Sequence, residues 1–184
     1  MTPEQSDTIH SPDTTMLAAV GMIEASEGEY RMRATGASML PLIRQGDILA
    51  IQRIRTGFIP GQILVYRVGV RLIAHRLLRL SGGEVSIAQT MGDNSVKADP
   101  AVSMEQWIGI AIAIQRNQRW MPLDTSAWKG VNPILSRLGS VRNRLFRDED
   151  GRNSQLRRWS QQLARMGFYL VMTISIALFG RWRD

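Results

Sequence analysis

Short apolar runs, most of them alternating with polar residues, recur between Tyr30 and Ile114, and glycine or proline marks nearly every break between them. Tyr30–Ala34 alternates, Ile48–Ile54 follows a Gly46-Asp47 turn, and Phe58-Ile59-Pro60-Gly61 turns into Gln62–Val68. Gly69 then leads into Val70–Leu80, and Ser81-Gly82-Gly83 into Glu84–Gln89. Trp107–Ile114 sets isoleucines at 108, 110, 112 and 114. A period of two places successive side chains on opposite faces of a strand, so the pattern predicts many short strands joined by turns. The fold class implied is mainly β over roughly 30–116.

Outside that region the texture differs. Residues 1–15 are polar, contain Pro3 and Pro12, and read as a flexible leader. No basic stretch leads into an apolar run there, so no amino-terminal signal peptide or anchor is expected. In Met16–Glu27, Leu17, Val20 and either Met22 or Ile23 are spaced for one helical face. Thr14 or Thr15 can cap it and Gly28 can end it, which predicts a short packing helix. After Trp120 the alternation stops. Residues 121–135, with Pro122, Gly130 and Pro133, are expected to be a linker draped on the domain, followed by an Arg-rich polar segment with a loop near 148–151.

Met166–Gly180 is an uncharged apolar stretch bounded by Arg165 and Arg181. As a helix its fifteen residues reach about 22 Å, short of the ~30 Å hydrocarbon core of a bilayer. Tyr169 and Trp182 near its ends resemble interfacial anchors. Two readings stay open: a membrane-embedded or spanning segment, and a helix packed in a core or an oligomer. The organisation expected is a leader and short helix at 1–28, a β domain at 29–116, a linker and Arg-rich segment at 117–158, and an apolar helical tail at 159–184.

Composition narrows the chemistry. With 184 residues, 44% of them hydrophobic, the chain can bury one real core. It has no cysteine and only two histidines, His10 and His75, so neither a thiolate nor a histidine-rich metal site is available; no metal or other cofactor is expected. The net charge of +7 is unevenly spread: residues 1–30 carry six acids and no Lys or Arg, whereas 130–184 carry ten Arg against four acids. An acidic amino end does not suit DNA, and no nucleic-acid partner is expected. The arginines read as a solvated face or a topology signal. Of the 23 basic residues only Lys97 and Lys129 are lysines.

That scarcity matters for the stretch Gly36-Ala37-Ser38-Met39-Leu40-Pro41-Leu42-Ile43-Arg44-Gln45-Gly46-Asp47. Glycine and proline hold an irregular backbone around one hydroxyl side chain, which suits a serine standing clear of its strand. A free hydroxyl is a weak nucleophile and needs a base. Neither lysine falls in a strand-like position after the serine, but His75 does, in Val70–Leu78, with Ile73 and Leu77 on its own face and Ala74 and Arg76 on the other. Downstream, Gly92-Asp93-Asn94-Ser95-Val96-Lys97-Ala98-Asp99 offers Asp99 and Asp93 as carboxylates that could hold the imidazole tautomer.

These three boxes, in this order and spacing, resemble the signal peptidase I and LexA-like serine peptidase superfamily, and more closely its endoplasmic-reticulum-type branch, in which histidine replaces the bacterial lysine. The resemblance covers roughly 29–116. It implies a coiled antiparallel β-sheet or partial barrel, Ser38 as nucleophile, His75 as general base, Asp99 completing the site and Asp93 supporting it. Ser38 and Met39 are the residues assigned to oxyanion and substrate contact, with the Ser38 amide as one donor. The implied activity is cleavage of an extended precursor peptide or protein paired with a strand edge. The alternative on the same fold is a catalytically inactive peptide- or membrane-binding module. Unlike the family's usual members, this chain has its apolar segment at the carboxyl end. Arginines crowd the segment's amino-terminal flank, which favours membrane association with the β domain on the cytoplasmic face.

Overall fold

The computed structural model describes residues 28–147 and 154–183, except 55, 83–85 and 96. The helix expected at 16–27 and the loop near 148–151 lie outside the described residues. Among the described residues, eight strands form one antiparallel sheet: β1 Glu29–Arg33, β2 Ile48–Gln52, β3 Ile63–Val68, β4 Arg71–Ser81, β5 Ile87–Met91, β6 Val102–Ser103, β7 Trp107–Arg116 and β8 Arg119–Pro122. The spatial order is β1-β2-β7-β3-β4-β5-β6, with β8 also paired to β7. Helices α1 (Ser126–Arg147) and α2 (Ser154–Phe179) follow. The mainly β architecture expected from the alternation is the one observed.

Two apolar clusters sandwich the middle of the sheet. Ile63 and Val65 of β3 face a large cluster with Leu49, Ile51, Ile114 and Met121; Leu64 and Tyr66 face a smaller one with Leu77 and Ala88. Burial on both faces explains why β3 reads as an unbroken apolar run rather than an alternation. The serine-bearing loop, 36–47, is pinned to the large cluster by Met39, Leu42 and Ile43, all nearly solvent-free. Its closing turn is tied to β7: Asp47 accepts two hydrogen bonds from the Arg116 guanidinium, at 2.9 and 2.6 Å, and one from the Arg44 amide at 2.8 Å.

The segment expected to be a linker is instead α1. Proline at 133 removes a helical hydrogen bond and Gly130 weakens the helix. Packing overrides both: Trp128 and Leu135 are buried in the large cluster, and Thr125 caps the first turn by accepting from the Trp128 amide. Ser136 donates to the Leu78 carbonyl of β4 at 2.7 Å. Helix α2 runs back against α1, with Arg142 of α1 over the Phe168 ring and Arg183 bridged to Trp120 beyond its far end. At 26 residues it reaches about 39 Å, far longer than the apolar stretch alone suggests. Its window Gln162–Phe179 is long and apolar enough to cross a membrane, and only 17% of that window is buried.

Candidate active site

Three segments converge on Ser38. The serine loop supplies the hydroxyl, β4 supplies His75, and the loop after β5 supplies Asp99. His75 Nε2 lies 2.9 Å from Ser38 Oγ, and His75 Nδ1 lies 2.7 Å from Asp99 Oδ2. The carboxylate can only accept, so Nδ1 carries the proton and Nε2 presents its lone pair to the hydroxyl. The imidazole is buried at 9% exposure, edge-on to the Tyr66 ring. Asp99 is fixed in turn by the Thr90 hydroxyl, which donates to Oδ2 at 2.8 Å and lies 3.2 Å from the Tyr66 hydroxyl. Burial, with the Asp99 charge nearby, raises the Tyr66 phenol well above its ordinary pKa, so it stays a neutral hydrogen-bonding group.

Asp93 is elsewhere. Its carboxylate takes a two-pronged ion pair from Arg76, Nε and Nη2 each at 2.7 Å, on the opposite face of β4 from His75. Both side chains are essentially buried, and Arg76 also donates to the Gly61 carbonyl at 2.6 Å. The structure thus brings Ser38, His75 and Asp99 together and sets Asp93 behind them as an anchor for the turn 92–95. That turn lies directly under the serine: a Cβ on Gly92 would come within 2.7 Å of the Ser38 carbonyl oxygen and 2.4 Å of Ser95 Oγ. Only glycine fits so close an approach. Met39, named with Ser38 for oxyanion contact, has a core side chain whose sulfur accepts from the Asp93 amide at 3.4 Å, which leaves its backbone N–H as the group relevant to chemistry.

A groove of about 320 Å³ leads up to the serine and histidine. Its lining includes Met32 from β1, Ala34 just after it, and Leu72 and Ala74 from β4, with Arg33 and Arg71 along it. Strand β1 pairs only with β2, and β4 residues 71–75 pair only with β3 among the described residues. Among the described residues, two strand edges, at 32–33 of β1 and 71–75 of β4, thus have no strand partner on the groove side, the arrangement into which an extended chain can be added.

A family model for Peptidase S24-like proteins matches residues 3–112, well over half of the chain. The chain belongs to the S24-like peptidase family. No curated protein and no solved structure matches it. The family match stops inside β7, so α1 and α2 of this S24-like protein lie beyond it. Thr90, Tyr66 and Asn94 were not singled out from sequence. A threonine and a tyrosine at alternating strand positions look like ordinary sheet residues until pairing brings β3, β4 and β5 side by side.

Proposed function

We propose that this S24-like protein is a serine endopeptidase of the Ser-His type, similar to the endoplasmic-reticulum-type signal peptidases, with Ser38 as nucleophile. The observation that carries the reading is the hydrogen-bonded line Ser38 Oγ, His75 Nε2, His75 Nδ1, Asp99 Oδ2, at 2.9 and 2.7 Å. His75 takes the hydroxyl proton as Ser38 attacks the scissile carbonyl, and Asp99 stabilises the imidazolium that forms. The negative charge on the tetrahedral carbonyl oxygen falls to the backbone N–H groups of Ser38 and Met39. His75 then gives its proton to the leaving amine, and water, deprotonated by the same imidazole, releases the acyl group.

The substrate in this reading is an extended segment of a precursor peptide or protein, paired with the groove-side edges of β1 at 32–33 and of β4 at 71–75. Side chains directed to the groove floor meet Met32, Ala34, Leu72 and Ala74, which favours apolar residues at alternate positions. Helix α2 attaches the domain to a bilayer: Trp159, Leu163, Met166, Leu170, Ile174 and Leu178 share one exposed face, while Phe168 and Met172 on the other are buried against the domain. A helix docked in this way lies along the membrane surface with its free face in the lipid.

Treating the purified full chain with a fluorophosphonate probe tests the central assignment. Labelling of the native protein and none of Ser38→Ala, with both equally folded by circular dichroism, is the expected result. Equal labelling of the two removes Ser38 from the mechanism.

A further inference from the structure

Helix α2 makes hydrogen bonds to the turn 92–95 at Asn94. Its side-chain oxygen Oδ1 accepts from the Tyr169 hydroxyl at 2.6 Å and from Arg165 Nη2 at 3.0 Å. With Oδ1 turned to α2, the Nδ2 amide faces the serine loop and donates to the Ala37 carbonyl at 3.3 Å. The backbone N–H of Asn94 donates to the Ser38 carbonyl at 2.7 Å. In a trans peptide the C=O and the following N–H point in opposite directions. Holding the Ala37 carbonyl therefore aims the Ser38 N–H, and holding the Ser38 carbonyl aims the Met39 N–H. The same turn is gripped by α1, where Arg142 donates to the Asp93 carbonyl at 2.7 Å and the Gly92 carbonyl at 3.1 Å.

We propose that Tyr169 and Arg165 are positioning residues for the oxyanion donors: they fix which way the Asn94 amide faces, and Asn94 fixes the two peptide planes beside the nucleophile. The proposal rests on Ser38 being the nucleophile, and deepens that reading by making a helix beyond the family match part of the site. Whatever displaces α2 from the domain releases Asn94 and disorders the donors, so docking of α2 and reactivity of Ser38 are linked.

The full chain is prepared as wild type, Tyr169→Phe, Asn94→Ala and the double variant, and the fluorophosphonate inactivation rate is separated into a maximal rate and a half-saturating concentration. Tyr169→Phe is expected to lower the maximal rate roughly tenfold with the half-saturating concentration unchanged, since one misaimed donor costs less than one removed. The double variant is expected to react no more slowly than Asn94→Ala alone, because Tyr169 acts through Asn94. A Tyr169→Phe rate within twofold of wild type, or a double variant equal to the product of the singles, overturns the proposal. Amide hydrogen exchange gives a readout that needs no activity: the Asn94 N–H is expected to exchange severalfold faster in Tyr169→Phe. If no variant is labelled, the nucleophile assignment fails and exchange alone decides the positioning role, with unchanged exchange rejecting it. Should Tyr169→Phe not fold, Arg165→Gln, at an exposed position, is judged by the same two measures.

Discussion

Asp99 and Asp93 carry the same carboxylate and sit six residues apart, yet their surroundings assign them different work. Asp99 is partly exposed and faces the imidazole; Asp93 is buried and faces a guanidinium. Asp99→Asn can no longer hold Nδ1–H as a charged acceptor, and its expected outcome is a fall in Ser38 acylation on the order of 10²–10⁴-fold with the thermal midpoint nearly unchanged. Asp93→Ala leaves Arg76 charged and unpaired in the interior, and the expected loss is about 3–5 kcal/mol in urea denaturation. The approach of Ser38 to His75 was legible in the sequence because the serine box is local and only one histidine falls in a strand pattern. The residue pattern alone left Asp99 and Asp93 both open, since the choice depends on which face of β4 each meets; only the family resemblance set Asp99 at the site and Asp93 in support. Arg142 was equally hidden: it is 2% exposed, its pKa pushed down to about 10 by burial, and remains charged at neutral pH.

At the scale of elements, α1 departs furthest from expectation. Glycine and two prolines between 122 and 133 argue locally for a loop, and the helix exists because Trp128, Leu135 and Ser136 are paid back by tertiary contacts. Trp128→Ala is accordingly expected to cost about 3–5 kcal/mol, read as a lowered urea midpoint. The strands were easier, because alternation between turn residues survives any tertiary arrangement. The two shortest strands among the described residues, β6 and β8, are not legible in the sequence: two and four residues are too few to show a period.

For the whole molecule, the question is where α2 resides. Its length became readable only with coordinates, because the polar first turns from Ser154 disguise a helix that the apolar core of the sequence merely continues. Both of its faces are apolar in the described part, one covered by the domain and one open. Leu163→Glu with Leu170→Glu is expected to abolish co-flotation with vesicles containing anionic lipid. Because both side chains are exposed in the isolated protein, the same pair should leave its thermal midpoint within a few degrees. Flotation equal to wild type would assign that face to another partner.

Strand β4 carries its own constraint on sequence change. His75 and Arg76 are adjacent and project to opposite sides, one toward the hydroxyl and the other into the ion pair behind it. The strand therefore has a frame, as a gene does: a single inserted or deleted residue between 71 and 75 inverts it. An insertion would seat the imidazole in the buried place of Arg76 and leave Ala74 beside Ser38, whereas a deletion would bring a guanidinium, unable to accept a proton, beside Ser38. Length changes beside the site are thus expected to be tolerated only in the turns that flank β4, and β4 itself to accept substitutions better than single-residue indels.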